Sequence, residues 1–490
     1  MKKIKKRWIV LLLCFLLTAV PTACGEDRTV PEEEAEKDVL IYAALDPVTG
    51  TLEKSIARFN EKHEDVQIEI HDYSDEGGRE RLQIELMLGQ VPDIMELRCY
   101  GGDADEIVKS GKYGMAKLPG SFSGPKDGYF MPYRQLAQRG YLEDLWPYIE
   151  NDPDLGRESV LEAPLKAAEV NGGLYMLFER VEIFTLIGRA SVVGGRYSWT
   201  LDDMMEAYAA MPEGSVIMRH NMTKWEVFYN LLSSSLEGFV NRETGECTFD
   251  SKGFRDLVGF LEACPDEVDY EKPREAEDEV KRQIRNGTQM LEGLTIVWPY
   301  DVLTADGIFQ ERAAFVGYPT ADGSSGSFFY QTGTVLGMSS ACRNKEAAWA
   351  YIRQMITPRL RKSNAYIVGN KRSTNTPVSL PDYEVICWYN LSYLMDEIYS
   401  KQMEYTGYWT STRQHFQYGP EIRFTELMKE EDLQRHRELL DHTTRLYWPE
   451  DDLADIVWET LGAYFAGDRT LDDTIRLLEN RVSLYLHEQQ

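Results

Sequence analysis

Charged residues that stand between two hydrophobic segments are the first candidates for chemistry in this sequence. Glu179, Arg180 and Glu182 separate an apolar run at 174–178 from a second one at 183–187. Ionisable groups are costly to bury unless they are paired, so at such a place they line a polar cleft or are solvated. We expect the chain to cross here from one packed body to another, beside a cleft. The alternative is an ordinary strand with solvated charges at a bend.

Further polar candidates stand at the ends of the first predicted strands. A short apolar run predicts a strand at 39–43, alternation of apolar residues predicts one at 66–70, and a third is expected to start at 92–95. Helical spacing predicts a helix before each of the last two, and this order is typical of a parallel sheet with right-handed crossovers. Ligands of open α/β sheets bind beyond the carboxyl ends of the strands. Those ends carry Asp46, Glu96 and Arg98, which are therefore candidates for contact with a ligand.

The carboxyl end of the chain has the clearest helical pattern. Apolar residues recur at helical spacing over 453–465, and Gly467 is expected to end that helix. Thr470 and Asp473 then predict the capped start of a last helix. The same Thr-x-x-Asp spacing begins at Thr200, where it predicts a capping box.

No catalytic or cofactor-binding motif of the common kinds occurs in the sequence. The five cysteines after position 24 have no Cys-x-x-Cys spacing, so neither a zinc site nor a dense disulfide framework is expected. The sequence leaves a single disulfide bridge between Cys247 and Cys264 as an alternative, and it favours buried free thiols. The formal net charge of −28 makes nucleic acid and anionic membrane surfaces unsuitable partners. We expect no cofactor, no metal ion and no catalysed reaction, and a glycosidase-like carboxylate pair stays open.

The amino terminus has the three parts of a secretory signal peptide. A basic segment is followed by an apolar segment of 13 residues at 8–20 and by Pro-Thr-Ala before Cys24. This segment is too short to span a bilayer, which takes about 20 residues. The sequence around Cys24 resembles a bacterial lipobox, which implies a lipid anchor on that cysteine; a plain secretory signal is the alternative. Residues 24–38 are acidic and contain proline, as is typical of a flexible tether.

Landmarks along the mature chain together resemble one protein family. Asn-Gly-Gly at 171–173 leads into the charged stretch, Trp-Pro-Tyr stands at 298–300, and Tyr-Phe-x-Gly-Asp-Arg-Thr-Leu-Asp-Asp begins at Tyr464. These motifs are similar to the two crossovers and the terminal helix pair of the extracellular solute-binding proteins of ABC transporters, in the branch that includes maltose-binding protein. The resemblance implies a type II periplasmic-binding-protein fold, in which two α/β lobes with a hinge enclose a ligand cleft.

The resemblance also implies a sugar site, and the residue types suit one. A pyranose has apolar C–H faces and a rim of hydroxyls, so aromatic rings and carboxylate, amide or guanidinium groups bind it. Glu182 aligns with the crossover glutamate of the family and Trp225 with a stacking tyrosine, whereas Ala454 replaces a stacking tryptophan for which Trp448 is the substitute. The expected ligand-binding residues are Asp46, Glu96, Arg98, Glu182, Trp225, Trp298, Tyr300, Asp301 and Tyr330. The alternative for each ring is a place in the core.

These expectations combine into one hypothesis. After a signal peptide (1–23) and a tether (24–38), the amino-terminal lobe comprises 39–178 and 298–355, and the carboxyl-terminal lobe comprises 179–297 and 356–490. The protein is then a monomeric, lipid-anchored receptor on the extracytoplasmic face of the cell membrane. It captures a carbohydrate, expected to be an oligosaccharide, and delivers it to ABC permease subunits. The alternatives are an extracytoplasmic carbohydrate-active enzyme or a same-fold receptor for a peptide, a polyamine or the ligand of a sensor kinase.

Overall fold

Sixteen strands occur in the part of the chain that the computed structural model describes. This part is residues 37–489 without 76, 100–128, 219–222, 243, 267–281, 297–298, 300, 356–359, 363–382, 386–428 and 449–452. The strands are β1 (Asp38–Ala44), β2 (Val66–Asp72), β3 (Ile94–Glu96), β4 (Arg98–Cys99), β5 (Tyr129–Phe130), β6 (Glu169–Val170), β7 (Gly173–Leu174), β8 (Leu177–Arg189), β9 (Val240–Asn241), β10 (Glu246–Cys247), β11 (Leu291–Ile296), β12 (Ala313–Phe315), β13 (Phe328–Met338), β14 (Leu360–Lys362), β15 (Tyr383–Val385) and β16 (Arg445–Leu446).

Eight of these strands form one mixed sheet. Six of them follow the order β11-β8-β13-β3-β1-β2, while β12 pairs with β8 and β16 with β13. The neighbours of β1 are parallel to it, whereas β8 is antiparallel to β11, β12 and β13. The other eight strands form four two-stranded pairs. Parallel and antiparallel pairing therefore meet in the middle of the sheet, where β13 lies antiparallel to β3.

The described residues also form fourteen α-helices. They are α1 (Gly50–Lys62), α2 (Gly78–Met87), α3 (Tyr133–Gln138), α4 (Trp146–Glu150), α5 (Glu162–Ala167), α6 (Ala190–Val193), α7 (Leu201–Ala209), α8 (Lys224–Val227), α9 (Lys252–Glu262), α10 (Asp301–Phe309), α11 (Lys345–Ile352), α12 (Glu430–His442), α13 (Leu453–Phe465) and α14 (Leu471–Gln489). A π-helical turn at Phe228–Leu232 runs into a 3₁₀ helix at Ser233–Phe239, and single 3₁₀ turns lie at Arg157–Ser159 and Arg353–Met355.

The amino-terminal strands and helices confirm the predicted alternation. β1 pairs in parallel with both β2 and β3, so its partners lie on either side of it. α1 begins after Thr49 because the hydroxyl of that residue accepts a hydrogen bond from the Leu52 amide. Its apolar stripe places Ile56 and Phe59 in the same core as β1 to β3. Local sequence pattern and tertiary packing agree in this region.

The charged stretch at the predicted crossover lies within one continuous strand. It does not interrupt a strand, because β8 runs through it for 13 residues. Successive side chains of a strand point to opposite faces, so Val181 and Ile183 are buried while Glu182 between them is half-buried. Backbone pairing with β13 covers 177–184 and pairing with β11 covers 183–188. The segment is one central strand of the sheet.

Two hydrophobic cores share these long strands. Val181 and Ile183 of β8 and Phe329 of β13 belong to the core that packs β1, β2 and β3. Leu186 of β8 and Phe328 of β13 belong to a second core, which includes α9, α13 and α14. Alternate residues on each strand thus face different cores. The boundaries expected for two lobes stay a prediction.

The predicted helix caps are present. Gly467 after α13 has a φ of 78°, which glycine adopts readily at the end of a helix. The Asp473 amide donates to the Thr470 hydroxyl over 3.2 Å at the start of α14. The capping box of α7 joins Thr200 and Asp203 in both directions. Short-range spacing was therefore sufficient to locate these helix ends.

The cysteines of the second core carry free thiols. Cys247 and Cys264 are not bridged, so the alternative of a disulfide between them is excluded. Cys342 is also free. Burial raises the pKa of all three thiols.

Over the described ranges no helix combines the length and apolar character needed to cross a membrane. Within the same ranges no group of three His, Cys, Asp or Glu side chains is arranged to hold a metal ion.

Candidate functional site

Side chains from three neighbouring strands share one face of the sheet. β8 and β13 place Glu182 opposite Tyr330 and Phe184 opposite Phe328. β16, which is parallel to β13, places Arg445 opposite Phe328. Paired residues of adjacent strands point to the same face, as does a residue two positions further along. The polar-aromatic face is formed by Glu182, Phe184, Phe328, Tyr330, Arg445 and Tyr447.

The rings of this face form a continuous series. Phe184 and Tyr330 meet edge to face with their centroids 4.9 Å apart. The Tyr447 ring is 5.9 Å from that of Tyr330, tilted by 41°. Burial raises the pKa of Tyr330 and raises that of Tyr447 to about 12, so both phenols are protonated at neutral pH. The face therefore offers apolar ring surfaces together with two neutral hydroxyl groups.

Arg98 connects the end of β3 to this face. Its buried guanidinium donates from Nη2 to the Tyr330 hydroxyl over 2.6 Å and from Nη1 to the Gln331 carbonyl. The guanidinium carbon also lies 4.9 Å from the centroid of the Tyr330 ring, a cation–π distance. The opposite charges of Arg98 and Glu182 both act on the Tyr330 phenol. Arg98 thus positions the tyrosine and brings a cation to the face.

Glu96 and Asp46 form a separate group where β1 and β3 end. Glu96 Oε1 accepts from the Tyr42 hydroxyl over 2.7 Å, and Oε2 accepts from the amides of Leu45 and Asp46 over 2.7 and 3.0 Å. Burial raises the pKa of Glu96, although these hydrogen bonds act in the other direction. Both carboxylate oxygens are engaged inside the protein. The described contacts give Glu96 a structural role in holding the loop between β1 and α1.

The charges of three further arginines act on an acidic residue, Glu237. Arg445 lies over the Phe328 ring at 4.6 Å. Glu237, in the 3₁₀ helix, accepts from Arg242 over 2.7 and 3.0 Å. The protein around the Glu237 carboxyl desolvates it although 43% of the side chain is exposed, but Arg242, Arg445 and Arg134 lower its pKa on balance. Groups from α3, the 3₁₀ helix and β16 therefore share one electrostatic environment.

Comparison with known proteins assigns this architecture to a family. The sequence profile described as "Bacterial extracellular solute-binding protein" matches residues 45–362, more than half of the chain. The chain belongs to this solute-binding protein family. Its fold is accordingly the type II periplasmic-binding-protein fold, two α/β lobes with a hinge and a ligand cleft, as predicted. A search of curated protein sequences found no match.

Solved structures of solute-binding proteins are distantly similar to this one. The sugar-binding protein MalE from Xanthomonas citri has 13% identity and a TM-score of 0.46, with 92% of this chain and 98% of that chain covered. The cyclic alpha-maltosyl-1,6-maltose binding protein from Arthrobacter globiformis has 12% identity and a TM-score of 0.44, with coverage of 92% and 100%. Similarity at this level does not indicate which solute the present chain binds.

The other residues predicted to bind a ligand in this solute-binding protein are not members of the polar-aromatic face. They differ in their exposure and contacts. Trp225 in α8 is 38% exposed, and its ring is 4.8 Å from that of Tyr229. Asp301 is the first residue of α10 and is only 4% exposed. Trp298 and Tyr300 lie outside the described residues. Their proposed contact with a ligand stays a prediction.

Sequence reasoning missed several members of the polar-aromatic face. Phe184 belonged to an apolar run, so nothing in its surroundings distinguished it from a core residue. Arg445 and Tyr447 alternate with Leu446 and Trp448, and this alternation is a strand signal that could have found them. Trp448 itself is a core residue, since it is 5% exposed and its indole donates to the Met131 carbonyl over 2.9 Å.

Proposed function

We propose that this solute-binding protein captures a carbohydrate, with an oligosaccharide as the expected class, and delivers it to the membrane subunits of an ABC importer. The observation that carries the proposal is the polar-aromatic face. It combines the rings of Phe184, Tyr330 and Tyr447 with the charged groups of Arg98 and Glu182. This combination of apolar plates and polar edges matches the surface of a pyranose.

Each component of the face has a role in this proposal. The Tyr447 ring is half-buried and supplies a surface for the C–H face of a sugar. Glu182, also half-buried, accepts hydrogen bonds from sugar hydroxyls. Arg98 keeps the Tyr330 ring in one orientation, so less conformational entropy is lost when a solute binds.

We further propose that the two lobes close on the solute and that the protein catalyses no reaction on it. A solute held between two lobes stabilises the closed arrangement because it contacts both of them. The chain forms or breaks no covalent bond in the solute, and ATP is hydrolysed by partner subunits. Incubation with oligosaccharides is therefore expected to leave them unchanged, and release of shorter sugars would identify an enzyme instead.

The proposed location follows from the amino-terminal sequence. Signal cleavage before Cys24 and lipid attachment to its thiol hold the protein at the extracytoplasmic face of the cell membrane. The acidic tether at 24–38 gives the folded part freedom to reach the permease. The receptor acts as a monomer, with 39–178 and 298–355 in one lobe and 179–297 and 356–490 in the other.

A thermal-shift panel of oligosaccharides, peptides and polyamines tests the function. A ligand present at 100 times its dissociation constant stabilises the folded protein by about 2.7 kcal/mol. We expect an oligosaccharide to raise the melting temperature of the wild type, and Tyr447→Ala and Glu182→Gln to lose this shift. Tyr464→Phe, which alters a half-buried tyrosine of α13 bonded to Glu262, is the control and retains the shift. A response to peptides or polyamines alone would overturn the proposal.

A further inference from the structure

A cation without an ion-pair partner stands at the edge of the polar-aromatic face. Among the residues that the structure describes, Arg445 donates no hydrogen bond and lies within ion-pair distance of no carboxylate; its side chain rests on the Phe328 ring. The side chain is half-buried, so water does not fully solvate its charge. A guanidinium carries five N–H donors, and leaving them unpaired in such a place is unfavourable.

Two other shielded arginines in the described part of the chain are paired with carboxylates. Arg435 forms a two-pronged contact with Asp306, with both distances at 2.8 Å. Arg353 contacts the buried carboxylate of Asp152 over 3.0 Å. An acidic chain has many carboxylates with which to neutralise a cation. Arg445 therefore differs from both of these arginines.

The acidic groups whose charges act on Arg445 have partners of their own. Glu237 is bonded to Arg242, and Asp322 accepts from the Ser324 amide over 2.9 Å. The pKa of Arg445 is lowered, chiefly by desolvation. The charge of Arg134 also lowers it, whereas the charges of Glu237 and Asp322 raise it. A second cation close to Arg445 thus adds to the positive potential there. An external anion would be attracted to this place.

We propose that Arg445 binds a carboxylate of the solute, so that the carbohydrate is an acidic one, an oligosaccharide that contains uronic acid. The inference rests on the proposed function and narrows its substrate class. The planar guanidinium fork matches a planar carboxylate with two parallel hydrogen bonds. Arg445 and Tyr447 lie on the same face two residues apart, so a sugar ring stacked on the tyrosine holds its carboxylate near the arginine.

Calorimetric titration with two matched ligands tests this inference. The probes are trigalacturonate and its fully methyl-esterified form, which has the same sugar rings without the charges. We expect the wild type to bind the acid at least about tenfold more tightly than the ester, because charge-assisted hydrogen bonds are lost with the ester. The advantage of the acid should also shrink as the salt concentration rises.

Substitution of the arginine provides the second arm. We expect Arg445→Gln to reduce the ratio of acid to ester affinity to about one, while Arg476→Gln, an exposed arginine on α14, leaves the ratio unchanged. Equal affinity of the wild type for acid and ester, or an unchanged ratio in Arg445→Gln, would overturn the inference. Tight binding of neutral oligosaccharides in that case would leave the proposed function intact. Failure of every carbohydrate would instead overturn the function itself.

Discussion

Single residues that look equivalent in the sequence have different uses in the structure. Glu96 and Arg98 are both charged, both buried and separated by one residue. Glu96 directs its two oxygens to groups at the end of β1, whereas Arg98 reaches the Tyr330 hydroxyl on the polar-aromatic face. Burial sets the cost of each charge, and the partners decide whether the residue supports the fold or the site.

Removal of the Glu96 carboxylate is expected to destabilise the protein. Glu96→Ala leaves the Tyr42 hydroxyl and the Leu45 and Asp46 amides without their acceptor, and we expect a loss of about 3 kcal/mol in the free energy of unfolding. Urea denaturation measures it. Glu69→Ala, at an exposed position of β2, should change the same quantity by less than about 0.5 kcal/mol. A loss of that small size in Glu96→Ala would contradict the structural role.

His436 predicts a specific pH dependence of stability. It is fully buried in α12, and burial, assisted by Arg437, lowers its pKa from 6.5 to about 3. Above pH 6.5 the ring is neutral in both states; below that pH the unfolded chain binds a proton that the folded protein does not. The free energy of unfolding should therefore fall with the pH, by about 2 kcal/mol at pH 5.

Two variants of α12 check this prediction. His436→Leu should remove that part of the pH dependence between pH 6.5 and pH 5. Leu433→Ala, which alters a buried residue without a titratable group on the same helix, should lower stability at every pH and keep the dependence. Parallel curves for the wild type and His436→Leu would show that another group is responsible.

At the scale of elements, β8 contributes both to the fold and to the candidate site. Its alternate residues enter the two cores, and Glu182 lies where β8 pairs with β13. Glu182 is half-buried because Val181 and Ile183 occupy the opposite face. A long strand held on both sides places such a side chain more rigidly than a loop would. The same pairing aligns Tyr330 beside it.

The capping box of α7 offers a test of element stability. Thr200 accepts from the Asp203 amide over 3.1 Å, and the Asp203 carboxylate accepts from the Thr200 amide over 2.9 Å. We expect Thr200→Ala to lower the free energy of unfolding by about 1 kcal/mol, because helix amides lose their acceptor. Chemical denaturation measures the change, and Thr200→Ser should retain most of the stability. Equal losses in both variants would assign the effect to packing.

For the whole molecule, an acidic solute must be reconciled with a net charge of −28. Most of these charges are solvated, and at physiological ionic strength their field decays over about 8 Å. In the proposed complex Arg98, Arg134 and Arg445 act on the solute at much shorter range. Local cations therefore decide binding, while the overall charge slows the approach of an anion at low salt.

The proposed lipid anchor can be tested on the intact chain in cells. We expect the wild type to partition into the detergent phase of a Triton X-114 extraction and Cys24→Ser to remain in the aqueous phase, since only a diacylated thiol adds enough apolar surface. Cys247→Ser, at a free thiol in the folded part, is the control and should partition like the wild type. Aqueous wild-type protein would indicate a plain secretory signal.

The sequence by itself determined the local elements of this protein. Apolar periodicity and caps depend on neighbours a few residues apart, so the strands before Glu96, the capped start of α7 and the terminal helices were predictable. The strand ends also indicated Arg98, and family landmarks extended the prediction to the fold and to Glu182 and Tyr330 as candidates for the site.

Only the tertiary structure decided which of these residues meet. Arg98 bonds to Tyr330 across 232 positions, and Arg445 reaches Phe328 through the pairing of β16 with β13. No local pattern encodes such a register, because it depends on how both cores are filled at once. Tertiary packing also decided the surroundings of each charged group. It buried Glu96 among hydrogen-bond donors, and it placed Arg445 at the face without an ion-pair partner among the described residues.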